Sequence, residues 1–154
     1  MTLQHPIRIL FVCHGNICRS TMAQSVMKWI ADQRGLADKL VVDSAATSTE
    51  ELGNSIHPGT VAKLREMRIP CIPHRARQIN LTDIERFDLI IGMDEANVRN
   101  IHRMLGNNVA VTRLLDYTDH PRDIADPWYT HNFDETYDDI LMGCRALLDY
   151  IDIP

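Results

Sequence analysis

In the stretch RILFVCHGNICRST (residues 8–21), a run of β-forming residues ends in Cys13, and Arg19 and Ser20 follow after five intervening positions. A loop between a strand and a helix N-terminus offers several backbone N–H groups with no intrahelical partner. Where these converge they cradle an anion, reinforced by the positive end of the helix dipole. A thiol set in such a cradle is expected to ionise, because donors that hold an oxyanion also stabilise a thiolate. Arg19 adds a planar, permanently charged fork suited to two oxygens of a tetrahedral oxyanion. The Ser20 hydroxyl can donate to the cysteine sulfur. Gly15 permits backbone angles that side chains resist, and Asn16 is one of the few other residues that tolerate a left-handed conformation. The chemistry implied is nucleophilic: Cys13 lies beneath a phosphate bound by the loop His14, Gly15, Asn16, Ile17, Cys18, Arg19 and Ser20, and forms a phosphocysteine.

Such a loop needs a strand before it and a helix after it, and both are in the pattern. Residues 8–12 form a short β-branched and aromatic run that reads as a buried strand. Over 18–34 the period changes, with Met22, Val26, Trp29 and Ile30 on one helical face and Gly35 as a natural stop. A second strand is expected over 39–47, and a helix from 58 or 59 to about 68, ending before Pro70. A third strand spans 87–93, apolar throughout as when both faces are covered. Asp94 then caps a helix reaching about residue 104, a fourth strand covers 108–114, and a long acidic loop leads to a last helix over 133–150. Alternating strands and helices give an α/β fold: a four-stranded parallel sheet with helices on both faces. Ligands of such sheets bind beyond the carboxyl ends of the strands. The Cys13 loop, the Ser44 loop and Asp94 all follow strand ends, and the Asp126 loop can arch over the same edge.

The whole chain constrains the partners. Its 154 residues predict one domain over 1–154, with 45% hydrophobic and 24% charged residues as in globular proteins. A formal net charge of -5 gives no electrostatic reason to expect nucleic acid or an anionic membrane. Neither a signal-peptide pattern nor an apolar run of about 18 residues is present, so a cytoplasmic protein is expected. The four cysteines, Cys13, Cys18, Cys71 and Cys144, do not read as a disulfide framework. Cys71 and Cys144 read as small buried hydrophobes. His5, His57, His102, His120 and His131 show no metal-ligand spacing and read as surface residues, and no metal is expected.

The string ILFVCHGNICRS closely resembles the low-molecular-weight protein tyrosine phosphatases. The resemblance runs along nearly the whole chain, through VDSAATS (42–48), ARQI (76–79), FDLIIGMDEAN (87–97) and DPWY (126–129). It implies a Rossmann-like phosphatase fold and a phosphomonoesterase acting on phosphotyrosine in proteins, with no cofactor. Phosphate or vanadate is expected to inhibit by filling the loop. Residue by residue, the resemblance makes Cys13 the nucleophile, Arg19 the phosphate clamp and Asp126 the general acid. The last role makes physical sense, since a tyrosyl oxygen leaves better as phenol than as phenolate, and the same carboxyl can later activate water. Pro127 restricts Asp126 to an extended conformation.

The resemblance also implies that Asn16, Ser44 and His74 brace the loop by hydrogen bonds and that Asp94 is an acidic neighbour. Trp128 and Tyr129 read as the walls of an aromatic slot. Cys18 is expected to form a reversible disulfide with Cys13 that shields the nucleophile from overoxidation. The chain departs from many relatives at Thr21, where they carry proline, and at Thr49–Glu50, where they carry an aromatic residue. One pocket wall, at Glu50, is therefore expected to be polar. Ile17 stands where related arginine phosphatases carry threonine, which favours phosphotyrosine.

Three other functions fit parts of the pattern. A thiol-coupled arsenate reductase shares the loop but needs a further cysteine pair after the third strand, a segment that here contains none. A non-catalytic phosphoprotein-binding module would need Arg19 but not both Cys13 and Asp126. A phosphoarginine phosphatase would use the same loop with a different pocket.

Overall fold

The computed structural model describes residues 5–151. Its sheet is parallel, with strands β1 (Ile7–Cys13), β2 (Leu40–Ala46), β3 (Leu89–Gly92) and β4 (Val111–Arg113) in the order β2-β1-β3-β4. Side chains alternate across β1, and both faces are covered. Ile9, Phe11 and Cys13 enter one apolar core, whereas Leu10 and Val12 enter the other. The first core is closed by α1 (Arg19–Gln33) and α6 (Phe133–Ile151), through Met22, Val26, Met27, Ile140, Cys144 and Leu147. The second is closed by α4 (Glu95–Leu105), through Ile101 and Leu105.

This strand order fixes where a ligand goes. From β1 the chain crosses to β2 on one side, and later returns to β3 on the other. The topological switch point therefore lies at the carboxyl end of β1, where helices on opposite faces diverge and leave a crevice. Cys13 is the last residue of β1 and pairs with Ala46 of β2.

Two short helices escape the periodicity, α3 (Asp83–Arg86) and α5 (Pro127–Thr130). Each is a single turn, too short to show a 3.6-residue repeat, and α5 exists because the Asp126 carboxylate accepts from the Trp128 N–H with Pro127 at the first position. The fourth strand is shorter than expected, because Leu114 turns into a 3-10 segment ending at Tyr117. The helix α2 (Pro58–Glu66) begins at the expected proline. Among the described residues, no helix is long and apolar enough to cross a membrane, and no cluster of three His, Cys, Asp or Glu side chains could hold a metal ion.

Candidate active site

The loop between β1 and α1 is shaped by what its carbonyls do. The Cys13 carbonyl accepts from Thr47 N at 3.0 Å and the His14 carbonyl from Ser48 N at 3.0 Å. The Ile17 carbonyl accepts from His57 N at 2.9 Å, and the Cys18 carbonyl from Met22 N and the Thr60 hydroxyl at 3.1 and 3.2 Å. With these carbonyls tied to the surrounding chain, the peptide units are oriented and their N–H groups are free to line the concave side. Helix α1 starts at Arg19, and no side chain caps its N-terminus. Its first amides therefore keep their donor capacity for a ligand.

Cys13 Sγ sits at the bottom of this bowl, accepting from Asn16 N at 3.3 Å and lying 3.0 Å from Ser20 Oγ. Of the two loop residues able to take a left-handed conformation, Asn16 does so, with φ of 59°, and Gly15 does not. Gly15 serves a different need. A Cβ there would stand 3.3 Å from Glu51 Cγ, so the missing side chain lets the rim residue lie over the loop.

A directed chain of hydrogen bonds braces the sulfur. Asn16 Oδ1 accepts from the backbone N–H of Arg77 at 3.2 Å and faces His74 Nε2 at 2.8 Å. The Arg77 amide can only donate, which fixes the orientation of the Asn16 side chain. Asn16 Nδ2 then donates to Ser20 Oγ at 2.8 Å, leaving the Ser20 hydroxyl proton for the sulfur. Ser44 Oγ lies 3.3 Å from His74 Nε2 and donates to Gln24 Oε1 at 2.6 Å. Burial holds the His74 pKa below its ordinary value, with Asp43 opposing the effect and Arg77 adding to it, which favours the neutral ring.

Arg19 is almost fully buried, at 2% exposure, among fixed acceptors. One terminal nitrogen donates to Asp94 Oδ2 at 2.7 Å and to the Ile124 carbonyl at 2.9 Å, and the other donates to Asp126 Oδ2 at 3.3 Å. Of its five N–H groups, the remainder are free for an oxyanion. Burial alone would lower the Arg19 pKa, but the negative charge of Cys13, Asp126 and Asp94 outweighs it and raises the pKa. The other oxygen of Asp94 accepts from Asn97 N at 2.7 Å in a capping box at the start of α4. One carboxylate thus anchors a helix and the guanidinium.

Cys13, His14, Gly15, Ile17, Cys18, Arg19, Glu50, Glu51, Asp126, Trp128 and Tyr129 line a single pocket. The loop is its floor, Glu50 and Glu51 form one side, and Asp126, Trp128 and Tyr129 form the other. Glu50 pairs with His14 Nε2 at 3.1 Å, so this wall is polar. Trp128 and Tyr129 are 51% and 77% exposed, an open aromatic rim. Cys18 stays a thiol: burial first, then the charges of Cys13 and Asp126, push its pKa up to about 12. The bowl suits a tetrahedral dianion, the sulfur lies in position to attack it, and a carboxyl borders the way in.

The chain belongs to the low molecular weight phosphotyrosine protein phosphatase family. The family's model matches residues 8–153. Low molecular weight protein-tyrosine-phosphatase YfkJ of Bacillus subtilis is 41% identical over 146 residues, covering 92% of this chain and 94% of that one. PtpA of Staphylococcus aureus, a low molecular weight protein-tyrosine-phosphatase, is 37% identical over 147 residues, with 94% of each chain covered. The crystal structure of YfkJ superposes with a TM-score of 0.93 at 40% identity, over 97% of both chains.

Several residues at the site have roles that their types do not announce. Glu51 lies in the pocket beside Glu50, and Gln24 is a buried amide one helical turn beyond Ser20. Arg77 is held by two bonds of 3.1 Å to the fully buried Asp83 and by one of 3.3 Å to Asp43. His57 is half-buried rather than a surface residue, and His102 Nε2 meets the Val109 carbonyl at 2.9 Å. Cys144 is buried, whereas Cys71 is partly exposed. Only the spacing of Gln24 from Ser20 offered a signal in the sequence.

Proposed function

We propose that the protein is a phosphotyrosine phosphatase working through a phosphocysteine. In the first step Cys13 Sγ, as thiolate, attacks phosphorus, the S–P bond forms and the P–O bond to the tyrosyl oxygen breaks. Asp126 in its acid form gives its proton to that oxygen, so tyrosine leaves as a phenol. In the second step the Asp126 carboxylate takes a proton from water as the water oxygen attacks phosphorus, and the S–P bond breaks to free phosphate and thiolate. Arg19 and the loop amides hold the equatorial oxygens in both steps, where charge spreads over them. Ser20, backed by Asn16, His74 and Ser44, stabilises the sulfur as leaving group in the second.

The observation that carries this reading is that Cys13, Arg19 and Asp126 share one pocket, with Arg19 bonded to Asp126 and the sulfur accepting two hydrogen bonds on its floor. A phosphoprotein-binding module has no use for a sulfur placed there, and a thiol-coupled reductase would need a relay that the single Cys71 and Cys144 do not offer. The Trp128 and Tyr129 rim and Ile17 favour a planar phosphotyrosine over phosphoarginine. The substrates are phosphotyrosine proteins in the cytoplasm, phosphate and vanadate occupy the loop as inhibitors, and the chain acts as one unit over 1–154. Cys18, in the same loop, can form a reversible disulfide with Cys13 under oxidation. Aryl phosphate hydrolysis abolished by Cys13→Ser, with phosphate binding retained, tests the assignment. Activity surviving in that variant, or turnover of phosphoarginine ahead of phosphotyrosine, would refute it.

A further inference from the structure

His57 joins three parts of the site that are distant in sequence. Its backbone N–H donates to the Ile17 carbonyl of the phosphate loop at 2.9 Å, and its Nδ1 accepts from Gly59 N at 2.9 Å at the start of α2. Its ring stacks on Phe133 with centroids 5.4 Å apart and 25° between planes. The same ring makes a T-shaped contact with Trp128, with centroids 5.8 Å apart and 80° between planes. Phe133 can come this close because Gly59 lacks a side chain: a Cβ there would stand 2.3 Å from the Phe133 ring. The sandwich is thus built into α2 and α6, and Trp128 is the one member on the short helix α5 that carries Asp126. Trp128 N donates to Asp126 Oδ1 at 3.0 Å, so the residue that carries the indole also holds the carboxyl through its backbone.

We propose that His57 is a positioning residue for acid catalysis, which ties the Asp126 turn to the phosphate loop through its ring. The inference rests on the assignment of Asp126 as the acid. Trp128 is half exposed, and its T-shaped contact with the His57 ring ties it to the start of α2. Without the ring the indole and the Asp126 carboxyl drift together, while the phosphate bowl, held by backbone bonds, keeps its shape. Displacement by about 1 Å is enough to cost large factors in rate when geometry is the catalytic resource. The effect falls on proton donation alone, and so on substrates whose leaving group needs a proton.

His57→Asn keeps a side-chain acceptor to cap α2 but removes the ring, and His57→Phe keeps the ring without the acceptor. For each variant, kcat/KM is measured with phosphotyrosine and with dinitrophenyl phosphate, whose leaving group departs unprotonated, together with the inhibition constant for inorganic phosphate. His57→Asn is expected to lose about tenfold on phosphotyrosine, with dinitrophenyl phosphate turnover and phosphate inhibition within about twofold of the parent. His57→Phe should recover the phosphotyrosine rate even if its Tm falls. Equal losses on both substrates, no loss on phosphotyrosine, or failure of His57→Phe to recover the rate would each overturn the proposal. Asp126→Ala, run alongside, separates the two readings. If it shows the leaving-group dependence and His57→Asn does not, only the His57 role is lost. If Asp126→Ala shows none, the acid assignment falls and the His57 role with it.

Discussion

Asp94 holds the Arg19 guanidinium at 2.7 Å with one carboxylate oxygen and the Asn97 amide of α4 at 2.7 Å with the other. The Arg19 guanidinium is therefore attached to the helix that covers the far face of the sheet, and its orientation is inherited from the fold. Because Arg19 is buried, its position depends on these fixed acceptors and not on solvent.

Asp94 variants should split the two functions of this carboxylate. Asp94→Asn keeps an oxygen for the cap and loses the charge, so stability should change little, while kcat/KM for aryl phosphates falls. Asp94→Ala loses both and should destabilise by a further 1 kcal/mol or so, the usual worth of an N-cap. Thermal unfolding and steady-state kinetics on the pair test this. Full activity in Asp94→Ala would show that Arg19 needs no anchor.

The two thiols of the loop should react differently. Cys18, with its pKa pushed up to about 12, is protonated at neutral pH and is expected to resist alkylation. Iodoacetate at pH 7 should label Cys13 first, and phosphate should protect it. Peptide mapping decides the matter, and preferential labelling of Cys18 would contradict this.

His74 gives the protein part of its acid sensitivity. Burial lowers its folded-state pKa, so below the ordinary histidine value of about 6.5 the unfolded chain binds more protons than the folded one. The stability that His74 contributes is complete above that pH and is lost as pH falls through it towards the lower folded value. Protonation places the new hydrogen on Nδ1, 3.8 Å from Asp43 Oδ1, and leaves the Nε2 donor to Asn16 in place. His74→Gln should flatten the fall in Tm on acidification below about pH 6.5. An unchanged slope would place the acid sensitivity elsewhere.

Much of this site could be read before any coordinates. Cys13, Arg19 and Asp94 follow strand ends in an alternating α/β pattern, and a parallel sheet with a switch point brings such ends together. Asp126 needed the family resemblance, since Asp116, Asp119 and Asp123 lie beside it in an acidic stretch of similar composition. The α5 turn was hidden because one turn shows no period, yet its cap, Asp126 before Pro127, was in plain view. His57 was hidden for a different reason. Its function lies in ring contacts with Phe133 and Trp128, which depend on the packing of α2 against α6. Residue type named both Gly15 and Asn16 as able to take the left-handed turn, and the packing of the loop decides that Asn16 takes it while Gly15 lies against Glu51.

Asp126→Ala should slow phosphotyrosine hydrolysis by roughly 10²–10⁴-fold, as expected for lost general acid catalysis, and dinitrophenyl phosphate far less. Activity should persist in chelator, and vanadate should compete with substrate for the loop. A uniform loss on every substrate would mean that Asp126 orients Arg19, to which it is bonded, and does not donate a proton.

The covalent step is tested most directly by rapid acid quench of the Asp126→Ala protein during turnover of dinitrophenyl phosphate, followed by mass analysis of its peptides. The prediction is a phosphoryl group on the peptide carrying Cys13, formed at a rate that accounts for turnover and absent when Cys13 is serine. Steady hydrolysis with Cys13 unmodified throughout would contradict the nucleophilic role on which the mechanism stands.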